Sequence, residues 1–427
     1  MVGTFRLQRP WSAVLLGALA LGLTACGGVY PNSTFNHTSE FNTAIDGLFS
    51  TLLFWGTVVF VVVEVALVYT IFRFRRRPGA PTPKQVHGNT VLEITWTAIP
   101  ALILIVIAIP TVRTIFKTQA KAAPNSLQVQ VIGHQWWWEF RYPQYGITTA
   151  NELYLPNGRT VNFELKTQDV LHSFWIPQLG GKRDLISNKS NYLWFTPNAD
   201  LPSSAFNGFC AEFCGPSHAN MKFRVYAVSA GEFDQWTAHQ KQPGIFPAAA
   251  PAAPAPAPAT TGAAAATVAA AVVPATAPAP AVPVYAFPKE KLEKDFAYTR
   301  PTMPIPAGVS FDESLLDKGD AERGRQVYSR SSCIGCHAIS GNMMSAGVVG
   351  PNLTHVGTRY TIAGGLYPND AKHLAYWIKN APHMKPGSIM PTIGKGQYDP
   401  VRKNTVTLGG LTDAEIADIV AYLQALK

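Results

Sequence analysis

At 427 residues with 47% hydrophobic content, the chain exceeds one ordinary domain, which excludes a single compact core and makes several folding units the expectation. A net charge of +9 implies basic patches, and these are sought first at a membrane flank, with no nucleic-acid partner expected. Of only five cysteines in the chain, two fall within one stretch of fifteen residues.

Arg6 and Arg9 precede an apolar run that ends in Leu23, Thr24, Ala25 and Cys26. This predicts a signal peptide over residues 1–25, and the last four residues resemble a bacterial lipobox, which makes Cys26 the expected lipid anchor. The alternative is an ordinary leader with an incidental thiol. A transmembrane hairpin is expected over residues 40–118, from two apolar runs, about Leu48 to Phe72 and about Val91 to Phe116. Each approaches or exceeds the ~20 residues that a helix needs to cross hydrocarbon. The connection "RFRRRPGAPTPK" carries five Lys/Arg and no acid, which places it in the cytoplasm and everything after Lys117 on the outer face. Glu64 and Glu93 stand within these apolar runs, and a membrane-depth carboxyl is a functional candidate by default. Glu64 has a structural alternative, facing a partner subunit. Glu93, one turn into the second run, either reaches the interface or takes protons from the cytoplasm.

From Ser126 the pattern alternates: Leu127, Val129 and Val131 face one way, Gln128 and Gln130 the other. The same alternation in "TVNFELK" and "KFRVYAV" predicts a small all-β sandwich or barrel of Greek-key type over residues 119–240. Within it, "NGFCAEFCGPSHANM" at 207–221 gathers two cysteines, a glutamate, a histidine and a methionine. A Cys210–Cys214 disulfide would close too short a loop to restrict the unfolded chain much. Zinc could take Cys210, Cys214, His218 and His172 as a closed tetrahedron. Thiolates, imidazoles and the Met221 thioether together favour copper, and two thiolates can bridge a pair of copper ions.

With "VLHSFWIP" around His172 ahead of it, this stretch resembles the dinuclear CuA centre of cytochrome c oxidase subunit II. "HGNTVLEITWTAIP" at 87–100 and "GHQWWWEFRY" at 133–142 resemble the same family, and the likeness covers about residues 40–240 with a cupredoxin-like fold. The resemblance implies His172, Cys210, Cys214 and Met221 on one copper, and Cys210, Cys214, His218 and the Glu212 carbonyl on the other. It gives the Glu212 side chain a magnesium ion at the contact with the catalytic subunit. It makes Glu93 the entrance of a proton path and Trp136 the residue through which electrons reach the copper. One departure stands out: where the family commonly has a Pro-Gly-Arg turn, this chain reads Lys182, Arg183, Asp184, Leu185, Ile186, Ser187, Asn188, Lys189.

Residues 241–300 are rich in proline and alanine and predict a linker, semi-extended where it adopts polyproline II. "CIGCH" at 333–337 then reads as a C-x-x-C-H haem attachment, with Cys333 and Cys336 as thioether donors and His337 as axial ligand; a thioredoxin-like or zinc motif is the alternative. "DAERGRQVYSRSS" predicts a short helix, and "LTDAEIADIVAYLQAL" a terminal helix with Thr412 and Glu415 as a capping box. This order resembles an all-α class I cytochrome c over residues 312–427, which implies Met390 in "KPGSIMP" as second axial ligand, the Pro351 carbonyl on the His337 ring, and Arg359 on a haem propionate. Met384 is the competing thioether.

Together the resemblances imply a multidomain, electron-accepting subunit of a proton-pumping oxidase in a bacterial cell membrane, with both cofactor domains on the outer face. The expected partners are membrane lipid, oxidase subunits I and III, and a cytochrome c or quinol–cytochrome c reductase as donor. The oxygen-reducing site is not expected on this chain. The rival is a membrane-anchored carrier with the same cofactors that serves another reductase.

Overall fold

The computed structural model describes residues 32–82, 84–244, 282–295 and 303–427, together with residues 14 and 17. Cys26, most of the leader and the central part of the Pro/Ala-rich stretch lie outside the described residues.

Two long helices open the described chain, α1 (Glu40–Arg73) and α2 (Thr90–Gln119). Ser39 caps α1 by accepting from the Asn42 amide, and Asn89 caps α2 by accepting from Val91 and Leu92. At 1.5 Å per residue both exceed the roughly 30 Å of a bilayer core, and both are apolar enough to cross it. Beyond its first turn α1 buries no residue, and α2 buries none, so their apolar surfaces face outward as a lipid-embedded hairpin requires. The α1 start is fastened to the next domain. Phe41 enters the core there, the Ser39 hydroxyl donates to the Leu179 carbonyl, Asn42 Nδ2 donates to the Pro177 carbonyl at 2.9 Å, and Glu40 accepts from the Thr196 amide at 3.0 Å.

That next domain is a sandwich of ten strands. They are β1 (Leu127–His134), β2 (Trp137–Tyr142), β3 (Ile147–Ala150), β4 (Glu152–Pro156), β5 (Val161–Thr167), β6 (His172–Trp175), β7 (Arg183–Leu185), β8 (Asn191–Phe195), β9 (Ser204–Cys210) and β10 (Lys222–Val228). One sheet runs β3-β2-β1-β5-β8 and the other β4-β10-β9-β6-β7. Only β1–β5 and β4–β10 pair in parallel. The expected alternation holds in β1, where Leu127, Val129 and Val131 are buried and Gln128 and Gln130 are partly exposed. Inward side chains from both sheets meet in an aromatic core in which Phe174 and Phe223 stack at 5.0 Å and Trp138 lies edge-on to Phe174. α3 (Ala230–Gln240) begins with a Ser229–Glu232 capping box and packs Trp236 against Tyr142 and Tyr154.

The far end of the segment expected to be a linker is not free chain. Residues 282–295, including the short helix α4 (Lys289–Asp295), return to the sandwich, where Phe287 is fully buried and stacks on Tyr226 at 4.8 Å. Tyr226 stands on the outer side of the second sheet, and burying two aromatic rings there outweighs the Pro/Ala-rich chain's tendency to stay solvated.

The C-terminal domain is built on α5 (Ala321–Arg330), α6 (Ala371–Lys379) and α7 (Asp413–Ala425). Both sides of the Thr412–Glu415 capping box form. α5 and α7 cross so closely that a Cβ on Gly324 would fall 1.9 Å from the Asp418 carbonyl oxygen, so only glycine fits. Arg323 spans the crossing to Asp418 at 2.9 Å. This domain sits against the sandwich. The Tyr360 amide donates to Glu152 Oε1 at 2.9 Å, His355 Nε2 meets the Gln242 carbonyl at 3.1 Å, and the Gly244 amide donates to the Ser340 carbonyl at 3.0 Å.

Candidate metal and haem sites

β6 and β9 are antiparallel neighbours, with Phe174 opposite Cys210, and this pairing carries His172 to Cys210 from 38 positions away. The β9–β10 loop then folds over them. It is closed by the Cys210 amide donating to the Met221 carbonyl at 3.0 Å, and a turn at His218–Asn220 brings His218 and Met221 inward.

The sulfurs of Cys210 and Cys214 lie 3.7 Å apart, both as free thiols. His172 Nδ1 is 3.8 Å from Cys210 Sγ, His218 Nδ1 is 3.7 Å from Cys214 Sγ, Met221 Sδ is 3.8 Å from Cys214 Sγ, and the Glu212 carbonyl oxygen is 3.2 Å from Cys210 Sγ. Six donors of this mix exceed the four of a closed zinc tetrahedron and suit a pair of copper ions. A Cβ on Gly133 would fall 2.7 Å from the His172 ring, so this glycine makes room for the imidazole.

Electrostatics favours one thiolate in the pair even without metal. The hydrogen bond between the two sulfurs outweighs burial and lowers the Cys210 pKa, and the same bond, aided by burial, pushes Cys214 up. Metal binding would release the shared proton. Burial alone would lower His172, but its hydrogen bonds to Asp169 and Cys210 outweigh that and raise it. Asp169 accepts from His172 Nε2 at 2.8 Å and fixes the ring with Nδ1 toward the sulfurs.

Trp136 Nε1 donates to the Cys214 carbonyl at 2.9 Å, and Gln135 Nε2 donates to the same oxygen at 2.9 Å. The three tryptophans in series therefore do three things. Trp136 reaches the thiol loop, Trp137 stacks on His134 at 4.1 Å, and Trp138 is core.

A cavity in the C-terminal domain is walled by Cys333, Cys336, His337, Pro351, Arg359 and Met390, floored by Leu374, Ile378, Ile419 and Leu423, and closed on one side by Gln135, Trp136 and Trp137 of the sandwich. His337 Nδ1 donates to the Pro351 carbonyl at 2.8 Å, which assigns the proton to Nδ1 and leaves the Nε2 lone pair for a metal. Burial lowers the His337 pKa and keeps the ring neutral, as a ligand must be. Gly350 lies so close that a Cβ would fall 2.6 Å from the ring. The apolar floor, the Cys pair and the neutral histidine fit a haem. Of the competing thioethers, Met390 lines the cavity, whereas Met384 is buried in the helical core with its carbonyl accepting from the Tyr367 hydroxyl.

Glu93 stands exposed in the first turn of α2, and Glu64 is partly buried within α1. The Glu212 side chain is partly exposed beside Phe213, which is 73% exposed. In the divergent stretch, Asn188 takes φ +60° and the Lys189 amide donates to the Ile186 carbonyl at 3.2 Å, so a tight turn is kept without proline or glycine. Sequence reasoning missed Asp169, Gln135 and Lys385. Only Asp169 left a trace, three positions before His172.

Two comparisons bear on this arrangement. Family models match as cytochrome c oxidase subunit II, transmembrane domain, over residues 34–114, its periplasmic domain over 146–228, and cytochrome c over 321–427. Proteins named cytochrome c oxidase subunit 2 are similar along most of the length. The one from Bacillus subtilis is 32% identical over 99% of this chain and 99% of its own, and that from Alkalihalophilus pseudofirmus is 32% identical over 86% and 83%. The Bacillus sp. (strain PS3) protein is 32% identical over 83% of this chain and 80% of its own. The matched models imply copper and haem, and a membrane protein with an extracytoplasmic domain. By sequence, fold and donor geometry alike, the chain belongs to the cytochrome c oxidase subunit II family, in a form that continues into a cytochrome c domain.

Proposed function

We infer that the chain is the electron-input subunit of a proton-pumping cytochrome c oxidase, taking electrons from a donor through haem c to the dinuclear copper centre and on to subunit I, where oxygen is reduced to water. The observation that carries this reading is the buried cluster of Cys210, Cys214, His172, His218, Met221 and the Glu212 carbonyl, one tryptophan away from the haem-type cavity. When bound, the two cofactors supply reversible one-electron chemistry.

The chain's own residues do the rest. His172, Cys210, Cys214 and Met221 would hold one copper, and Cys210, Cys214, His218 and the Glu212 carbonyl would hold the other. Asp169 fixes the His172 ring. Cys333 and Cys336 would attach a haem, His337 and Met390 would hold its iron, Pro351 keeps the His337 ring oriented, and Arg359 would offset the charge of a propionate. The apolar, largely aromatic core around Cys210, Cys214 and Met221 would keep polar reorganisation at that site small. The Glu212 side chain serves a magnesium ion at the contact with subunit I, and Glu93 opens a proton path on the cytoplasmic side. The protein is a multi-pass component of a bacterial cell membrane, lipidated at Cys26, with subunit III as a further partner. Its domains are the hairpin at 40–118, the copper domain at 119–240 with its returning segment, and the cytochrome domain at 312–427. A cytochrome c or a quinol–cytochrome c reductase supplies its electrons.

Affinity isolation from detergent-extracted membranes tests the assignment. A haem-copper subunit I should co-purify, with oxygen consumption in the isolated complex. Recovery of the chain with haem and copper but without that subunit would favour a membrane-anchored carrier for another reductase.

A further inference from the structure

In this family electrons are expected to reach copper through Trp136, yet here that ring is only 8% exposed. What covers it is the chain's own cytochrome domain. Residues Lys385–Gly387 lie directly on it, and a Cβ on Gly387 would fall 2.6 Å from the Trp136 ring. The same loop is tied to the copper-binding loop, because the Ser217 hydroxyl donates to the Pro386 carbonyl.

Among the described residues Lys385 has no acidic partner in this seat. Its ammonium is buried and donates to the Trp136 carbonyl at 2.6 Å and to the Ala363 carbonyl at 3.1 Å, so one side chain spans both domains. Gly364, at φ +77°, keeps the space beside it, since a Cβ there would lie 3.0 Å from Nζ. Burying a charged amine costs free energy unless its hydrogen bonds and nearby charge compensate. Burial brings Lys385 down to about 7. A lysine held there against its desolvation points to a job at that spot. A surface lysine would snorkel to water instead.

We propose that Lys385 is a positioning residue for electron transfer, pinning the 385–387 loop on Trp136 so that this tryptophan is reserved for the chain's own cytochrome domain and closed to a soluble donor. The inference rests on the function proposed above. In the step it governs, one electron leaves ferrous haem and one is gained by the copper pair; no bond is made or broken.

The test uses the full oxidase complex and a soluble mono-haem cytochrome c as probe donor. The wild-type complex is first checked for the haem c spectrum and the mixed-valence copper signal. Absence of either refutes the functional reading and is seen before any variant is compared. Lys385→Met keeps the length and apolar stem but removes the ammonium. Rapid-mixing kinetics should then show an unchanged second-order reduction of the haem, a haem-to-copper first-order rate slowed roughly tenfold or more by misplacement of the ring, and both cofactor spectra intact. General damage would not split the two rates in this way. Gly387→Ala, whose methyl would collide with the Trp136 ring, should slow the same first-order step, and it reads that step even if Lys385→Met fails to assemble. Transfer at the wild-type rate in either assembled variant overturns the proposal.

Discussion

Met390 and Met384 are six residues apart, and the backbone gives them different fates. Met390 lines the cavity with His337, while Met384 sits in the helical core and is 1% exposed. Met390→Ala should therefore abolish the sulfur-to-iron charge-transfer band of the oxidised haem and leave the fold intact. Met384→Ala should keep the band and destabilise the domain by about 2–5 kcal/mol, as deletion of a buried methionine does. Visible spectroscopy and thermal melting of both variants decide between them, and loss of the band in Met384→Ala would reverse the assignment. At this scale the candidate donor types were legible because their chemistry is local: C-x-x-C-H and the fifteen residues around Cys210 put their sulfurs and imidazoles in a row. Asp169, Gln135 and Lys385 were not legible. Each acts through a contact made only when β6, the Trp136 loop and the cytochrome domain come together.

Among the elements, the caps and strands followed from their patterns. Thr412–Glu415 is a capping box whose spacing is visible in the chain, and the β1 alternation is a two-residue period. The junctions between elements did not follow. α3 ends against the cytochrome domain, where the rings of His239 and His355 lie 4.5 Å apart. Burial lowers the pKa of His239, and burial together with the neighbouring His239 brings His355 down to about 4. The groups facing the pair are the backbone of Lys427 and Tyr285, the Gln242 carbonyl and the Arg359 guanidinium. The opened protein binds these protons near the ordinary histidine value of about 6.5, and the docked protein resists them. The stability of this junction is therefore complete above pH ~6.5 and lost as pH falls toward 4. Hydrogen-exchange protection across residues 230–244 and 352–358, taken relative to the intrinsic exchange rate at each pH, should fall over that window, and the His239→Gln/His355→Gln double variant should flatten the dependence. An unchanged acid profile in the double variant would show that other groups set it.

For the whole molecule, the order of hairpin, sandwich and haem domain was legible because each unit carries its own signal: apolar length, alternation, and C-x-x-C-H. How the units sit together was not, because Phe287 returning to Tyr226 and Lys385 reaching Trp136 depend on surfaces that exist only after folding. The result is a continuous assembly in which the α1 start, the copper loop and the haem cavity share one framework. At its centre Cys210 and Cys214 would hold a pair of copper ions as an electron store. Electron paramagnetic resonance of the oxidised complex, wild type beside Cys210→Ser, tests this most directly. The account predicts a mixed-valence copper signal in the wild type that disappears in the variant while the haem c spectrum stays. A wild-type complex without that signal, or a variant that retains it, would contradict the account.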